Sequence, residues 1–343
     1  MGTKINDKKL RLQYIDIARG IAMISIIIGH LGEPAINRVV FTFHVPVFFF
    51  ITGYFLSDKK SIKDFIKNKA RTLLVPYAVT CAVIVFIGVM IGLRNGNAGD
   101  EACKWLYASV YGAGDNYQEP FYIKGIGAIW FLLATFWGSV FLRISLKFNS
   151  ALRLIFVIAL FLAGYFSRYL FWFPFSIQAG ACSTLFMYLG YLLKCSKDRL
   201  KEIPIEVKAI GVITASLVWL QFMINFKSFW LVHCDIGRGV IDIIGSICAC
   251  AVVVFISWFA EYKRFFLVKP LALIGKYSLL VLCVHIVELT FVPWRQITDL
   301  VISYGMPDAA RLAFLITGKI VFVLFTTWIC SRIPAVRKVM GYS

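Results

Sequence analysis

The sequence has little charge and few long polar stretches for its length. Only 16% of its 343 residues are charged and 60% are hydrophobic, whereas about 25% charged is typical of a soluble domain. Its nine cysteines form no CxxC pair and no metal-ligand spacing. This composition excludes a soluble enzyme, a disordered chain and a disulfide scaffold, and we expect no bound metal.

Ten apolar segments instead predict an all-α, polytopic membrane protein. We place them at about 13–31, 39–56, 72–93, 128–146, 153–171, 176–193, 208–226, 238–260, 271–292 and 312–330. We expect residues 1–343 to form a single membrane domain. We expect neither a cleavable signal nor an appended soluble domain.

The distribution of basic residues predicts the orientation. The net charge is +18, and with the N-terminus inside, 24 Lys and Arg fall in inner segments against eight in outer ones. Because cytoplasmic loops are enriched in Lys and Arg, we predict that both termini are cytoplasmic in a multi-pass protein of the plasma or inner membrane. The positive charge is thus attributed to topology and lipid, and we expect no nucleic-acid partner.

The first segment carries three ionisable residues that share one helix face. Arg19 and His30 are eleven residues apart, which is about three turns and about 16 Å along the axis. Asp16 lies one turn before Arg19 and can pair with it. Charges within a span are expensive and often functional. The alternatives are a neutralised pair that orients the helix, an Arg19 that reaches the inner surface, and an interfacial His30 that caps the helix.

The second segment contains a histidine beside a proline. Pro46 has no N–H, so it frees the carbonyl of Thr42 and predicts a local break next to His44. Thr52 and Gly53 near the end of the segment permit the close approach of another helix. The run of Phe residues between them is expected to pack in the core or face lipid.

These segments resemble the membrane acyltransferase-3 family. The resemblance is carried by Asp16-Ile17-Ala18-Arg19-Gly20 followed by His30, and by a Phe-rich second segment that ends in Thr52-Gly53-Tyr54. Phe43-His44-Val45-Pro46 is similar to the polysaccharide O-acetylase branch of that family. Further matches are Lys69-Ala70-Arg71 with Pro76-Tyr77, Trp130-Phe131-Leu132, Tyr188-Leu189-Gly190-Tyr191-Leu192, and Gly275-Lys276-Tyr277-Ser278 before His285.

The resemblance implies an acyltransferase that uses cytoplasmic acetyl-CoA as its co-substrate. The acceptor would be a hydroxyl of an envelope or exported polysaccharide, or of its lipid-linked precursor. The implied partners are membrane lipid, this carbohydrate and polysaccharide-assembly proteins. One departure is Asn68, which stands where the family often has the first Arg of an Arg-x-x-Arg motif.

The residue chemistry agrees with that function. An alcohol that attacks a thioester needs a general base, and histidine has a suitable pKa near 6.5. We predict His30 as this base and His44 as the second candidate, with Asp16 acting through Arg19. Arg19 and the basic side chains of the following loop are predicted to hold the phosphates of acetyl-CoA; these are Lys67, Lys69 and Arg71. The loop can equally serve topology and attraction to anionic lipid.

Other polar positions carry weaker predictions. His285 and Glu288 share a helix face, and Lys319 can neutralise Glu288. His285, Glu288 and Trp130 are the weaker candidate site residues. We favour a structural cluster for His285, Glu288 and Lys319, a pair of Arg168 with Asp242, and an interfacial anchor for Trp130. The outer loop at about 94–127 contains four tyrosines that could contact a sugar or only cover the interface.

Two other functions compete with acyl transfer. A flippase or exporter of carbohydrate lipids should show two similar halves with matched broken helices. The sequence has one Pro-broken, His-bearing segment near its N-terminus and no equivalent in its second half. A binding or sensing domain of the same shape is the third interpretation, and an acetyl-transfer assay separates all three.

Overall fold

A computed structural model describes residues 12–303, 305 and 307–342. The basic residues of the predicted inner segment 1–12 that precede Leu12 lie outside this part of the chain. The described residues form α-helices and no β-strand, which confirms the all-α prediction. The helices are α1 (Gln13–Gly29), α2 (Pro34–Val40), α3 (Pro46–Tyr54), α4 (Ile62–Lys69), α5 (Val75–Asn95), α6 (Ala98–Tyr111), α7 (Trp130–Ser145), α8 (Ser150–Ser167), α9 (Ile177–Cys195), α10 (Lys197–Glu202), α11 (Ile205–Ile224), α12 (Val240–Lys263), α13 (Val268–Lys276), α14 (Ser278–Phe291), α15 (Trp294–Ser303), α16 (Asp308–Cys330) and α17 (Pro334–Met340).

Five helices are long and apolar enough to cross a membrane. They are the continuous segment Ile62–Asn95, then α8, α11, α12 and the part of α16 from Ala310 to Cys330. The pair α13 and α14 would make a sixth if it counts as one span. The chain is therefore a multi-pass membrane protein, while the number of ten spans and the cytoplasmic termini stay predictions.

Two predicted spans are interrupted in the structure. The segment 39–56 is not one helix, because α2 ends at Val40 and α3 begins at Pro46. Proline is favoured at the first position of a helix, where its missing N–H costs no hydrogen bond. The segment 271–292 bends by 77° between α13 and α14, at Tyr277, whose ψ of 16° is not helical.

The predicted outer loop at about 94–127 contains a helix. In α6, Asp100 and Glu101 occupy the first turn, and Trp105 and Ala108 face the interior. Acidic side chains stabilise the positive end of a helix, and Trp105 also donates a 2.9 Å hydrogen bond from Nε1 to Glu101. The region was predicted as a loop, so its helical spacing was missed.

Glycines set the contact between two pairs of helices. A Cβ atom at Gly53 in α3 would overlap the carbonyl of Met187 in α9, and one at Gly190 in α9 would overlap the carbonyl of Phe50. Gly20 in α1 and Gly275 in α13 are related in the same way. The predicted close approach of a helix at Gly53 is thus confirmed, and these contacts explain why glycine stands at these positions.

We expect Gly53→Ala to destabilise the protein by about 1–3 kcal/mol, because overpacking a tight contact forces the backbones apart. Gly211 in α11 is the matched control, since a Cβ atom there meets no atom within 4 Å. Gly211→Ala should stabilise its helix by up to about 1 kcal/mol. Thermal unfolding of the two variants in detergent measures the difference. An equal change in both would contradict the packing argument.

Candidate functional site

An ion pair lies in the first part of α1. The Arg19 Nη1 and Asp16 Oδ1 atoms are 3.7 Å apart, and the Asp16 side chain is 8% exposed against 31% for Arg19. The predicted pairing over one turn is therefore confirmed. Because Arg19 is partly open, it can offer charge to a ligand while Asp16 holds it in place.

Further basic side chains follow in α4 and just beyond it. The Lys69 ammonium lies close enough to Arg19 for their positive charges to interact. A π-helical turn follows Lys69 over Ala70–Leu74, and such turns frequently occur at functional sites. Lys67 and Arg71 are exposed on the same continuous segment. The structure thus places the Lys69 charge within electrostatic range of Arg19, and leaves Lys67 and Arg71 on the exposed side of that segment.

His30 stands at the opposite end of α1. Its Nδ1 atom lies 2.8 Å from the carbonyl oxygen of Ile26. A carbonyl can only accept, so Nδ1 carries the proton and Nε2 holds the lone pair. His30 is also exposed. The imidazole is therefore held in one tautomer, with its basic nitrogen free of this hydrogen bond.

A buried polar network supports His30 from α14. His285 Nε2 lies 3.4 Å from His30 Nδ1, and the two rings meet edge to face at 5.2 Å between centroids. His285 Nδ1 donates to Glu288 Oε2 at 2.8 Å. A carboxylate on one ring nitrogen leaves the other nitrogen as an acceptor. Nδ1–H of His30 therefore points toward two acceptors, the Ile26 carbonyl and His285.

Glu288 is in turn neutralised by its neighbours. Lys319 in α16 donates to Glu288 Oε1 at 2.7 Å, and Trp294 Nε1 donates to the same oxygen. Glu288 is 1% exposed and Lys319 4% exposed. The predicted cluster of His285, Glu288 and Lys319 is confirmed. Its contact with His30 was missed, because 255 residues separate the two histidines and no local spacing relates them.

His44 takes a similar position beside the break before α3. Its Nδ1 donates to the carbonyl of Val40 at 2.7 Å, so its Nε2 also holds a lone pair. The residue is only 4% exposed. Its ring packs edge to face against Phe41, with 4.7 Å between centroids. His44 is therefore oriented like His30, but it is much less open.

The two histidines line a common cavity of about 80 Å³, which we call the histidine cavity. Trp130 lines it as well and is 6% exposed. Trp130 thus lies in the interior, and the expected interfacial anchor is wrong. The remaining wall includes residues 229–232, which the sequence analysis did not single out. Apart from a short 3-10 turn over Leu231–His233, the segment has no regular structure, so no periodic pattern could reveal it.

A second cavity of about 150 Å³ lies at the Arg19 end of α1, and we call it the arginine cavity. Polar side chains of Arg19, Thr52 and Ser278 contribute to its lining. It shares three apolar lining residues with the histidine cavity: Ile26, Phe131 and Leu282. The two cavities therefore lie on either side of one apolar constriction along α1.

The predicted pairing of Arg168 with Asp242 is wrong. Arg168 Nη1 instead lies 3.6 Å from Asp235 Oδ1, and Asp242 accepts from Arg238 at 2.6 Å. Arg238 precedes α12 and also donates its backbone N–H to Asp242 at 2.8 Å, so a local pair at the start of α12 replaces the pair between distant segments. Among the described residues, no cluster of three or more His, Cys, Asp or Glu could hold a metal ion.

Comparison with protein-family models gives a significant match. A family model described as an acyltransferase domain matches residues 12–332. The matched segment contains both ends of α1 and the residues that line both cavities. No curated protein and no solved structure is significantly similar to the chain.

Proposed function

Because the chain belongs to the acyltransferase-3 family, it is a membrane acyltransferase, and we propose that it transfers an acetyl group from cytoplasmic acetyl-CoA to a carbohydrate hydroxyl. The acceptor is an envelope polysaccharide or its lipid-linked precursor. The protein acts in the plasma or inner membrane together with polysaccharide-assembly proteins. Membrane lipid surrounds its apolar helices.

One observation carries this proposal: the two cavities follow one helix, with cations at one end and histidines at the other. Arg19 and His30 lie about 16 Å apart along α1. Acetyl-CoA has the matching shape, with anionic phosphates, a long pantetheine arm and a reactive thioester at its end. Phosphates held near Arg19 and Lys69 would leave the thioester near His30.

The size of the histidine cavity favours a short acyl group. At about 80 Å³ it is smaller than the arginine cavity of about 150 Å³. An acetyl thioester places only a few non-hydrogen atoms there, whereas a long acyl chain needs more space. The cavity therefore supports acetyl as the transferred group.

The proposed reaction uses His30 as a general base. His30 Nε2 takes the proton of the acceptor hydroxyl while the hydroxyl oxygen attacks the thioester carbonyl carbon. The carbon–sulfur bond breaks, an ester forms, and the CoA thiolate leaves. The proton on His30 then passes to the thiolate sulfur. This step restores the neutral imidazole and releases CoA as the thiol.

The network behind His30 holds its ring in place during this step. After protonation, Nδ1–H of His30 still faces the Ile26 carbonyl and His285 Nε2. Glu288 polarises His285 through its hydrogen bond. Because Lys319 partly neutralises Glu288, we assign the network a positioning role, with His44 as a second basic group on the same cavity.

The direct test is transfer of labelled acetyl from acetyl-CoA by the purified protein in lipid nanodiscs, with an envelope glycan fraction as acceptor. Solution NMR of envelope glycans with and without the gene locates the acetyl esters. We expect label on the glycan and loss of O-acetyl signals without the gene. Transport of an unmodified glycan lipid without label transfer would contradict the proposal and favour an exporter.

We expect Lys69→Glu to raise the KM for acetyl-CoA about tenfold, because it reverses a charge within electrostatic range of Arg19, where the phosphates are proposed to bind. Lys208→Glu makes the same charge change on α11 and serves as the control. Its KM should stay within about twofold of the wild-type value. Steady-state kinetics with correctly folded protein measures both. An unchanged KM for Lys69→Glu would show that acetyl-CoA does not bind in this region.

A further inference from the structure

A third cavity lies on the other side of the segment that forms part of the histidine cavity wall. It is an open cleft of about 490 Å³, which we call the aromatic cleft. Trp230 lines both the cleft and the histidine cavity. Leu231 and Val232 line the histidine cavity, while His233 and Asp235 line the cleft. One short segment therefore separates the proposed reaction centre from the cleft.

Aromatic rings dominate the lining of the aromatic cleft. Tyr117 and Trp172 stack with centroids 4.7 Å apart and 10° between their planes. Tyr169 is 67% exposed and Trp230 40% exposed. Large exposed aromatic rings in a cleft are typical of ligand sites, since they offer apolar contact area with little loss of conformational freedom.

The polar groups of the cleft are paired with one another. Arg168 faces Asp235 at 3.6 Å and lies over the Tyr169 ring at 4.7 Å. His233 lies 3.2 Å from Asp115 and 3.1 Å from the hydroxyl of Tyr117. The hydrogen bond from His233 lowers the pKa of Asp115, which therefore stays ionised near neutral pH. Both basic side chains of the cleft thus already face a carboxylate.

This charge balance indicates the chemistry of the ligand. An anionic sugar would find no unpaired cation among the described lining residues. A neutral sugar has an apolar C–H face that can pack on an aromatic ring, and a rim of hydroxyls that can donate to carboxylates.

We propose that the aromatic cleft binds a neutral sugar unit of the acceptor and directs a hydroxyl past Trp230 toward His30. This inference rests on the proposed function, because it assumes that the acceptor is a carbohydrate. Tyr169 supplies the stacking face, and Asp235 accepts from sugar hydroxyls. Tyr117, in the loop whose tyrosines were considered for sugar contact, lines this cleft.

The test measures sugar binding separately from acetyl transfer. The protein in nanodiscs is applied to immobilised neutral oligosaccharides of glucose, galactose and mannose, and to oligosaccharides that contain uronic or sialic acid. We expect binding to at least one neutral series. Tyr169→Ala should weaken it about tenfold, which corresponds to the loss of one aromatic contact. Tyr169→Phe keeps the ring and should stay within about threefold.

Two further variants complete the design. Tyr122 is 53% exposed and lies in the same predicted loop as Tyr117, but it does not line the cleft. Tyr122→Ala should therefore leave sugar binding unchanged. Asp235→Asn keeps an oxygen for the backbone N–H of Gly237, which now bonds Asp235 Oδ1 at 3.0 Å, but it removes the charge. We expect Asp235→Asn to weaken the binding of neutral sugars about as much as Tyr169→Ala does.

The outcomes separate this inference from the proposed function. Absence of binding to every neutral series, preference for acidic sugars, or equal affinity of Tyr169→Ala and wild type would each overturn the inference, whatever the transfer assay gives. The protein could instead bind neutral sugars through Tyr169 but neither bind acetyl-CoA nor transfer acetyl. That result would support sugar binding in the aromatic cleft and contradict the proposed function.

Discussion

His30→Ala is expected to lower the rate of acetyl transfer by about 10²–10⁴-fold while acetyl-CoA still binds. The reason is geometric: the Ile26 carbonyl fixes the proton on Nδ1, so Nε2 is the atom that can accept the hydroxyl proton. The variant lacks this base but keeps the cations near Arg19. Calorimetry with acetyl-CoA and a transfer assay on the same folded sample measure the two effects.

His44→Ala provides the comparison for this experiment. His44 lines the same cavity but is only 4% exposed, so its replacement should reduce the rate less than that of His30. Near-normal turnover of His30→Ala would remove His30 from the mechanism. A larger loss for His44→Ala would transfer the role of base to His44.

A second large effect is expected from Lys319→Met, which leaves Glu288 without its cationic partner. Removing one member of a buried pair costs about 3–5 kcal/mol, because the remaining charge is uncompensated. Both side chains are almost completely buried, so solvent screens this loss little. Reversible unfolding of the purified protein in mixed detergent micelles measures the change in free energy of unfolding.

The double variant Lys319→Met with Glu288→Gln tests the cause. It removes both charges and should recover a substantial part of the lost stability, which gives a coupling energy in a double-mutant cycle. Lys338→Met is the control, since Lys338 is exposed and should change stability by less than about 0.5 kcal/mol. Strict additivity of the two single variants would contradict the coupling of Lys319 and Glu288.

The first two predicted spans show which features can be predicted from residues that are close in sequence. The one-turn spacing of Asp16 and Arg19 was enough to predict their ion pair, because helix geometry relates neighbours directly. Pro46 likewise predicted a break beside His44, although the extent of the break was underestimated. The sequence pattern predicted one span over 39–56. In the structure, one helix ends at Val40 and the next begins at Pro46.

The position of Trp130 shows the limit of this reasoning. Tryptophan is enriched at membrane interfaces, so a tryptophan at the start of an apolar segment was expected to be an anchor. The structure buries it instead in the wall of the histidine cavity. It belongs to one buried cluster with Ala113, Phe229 and Leu231, which come from other segments of the chain.

The sequence by itself determined the membrane class, the helical content, the family and the stripe of Asp16, Arg19 and His30 along α1. These follow from composition and from spacing within one helix, which depend only on neighbouring residues. Only the tertiary structure decided that His285 supports His30, that the two cavities meet at Ile26, and that an aromatic cleft adjoins them. These contacts join residues more than a hundred positions apart, and helix packing, which no local pattern encodes, brings them together.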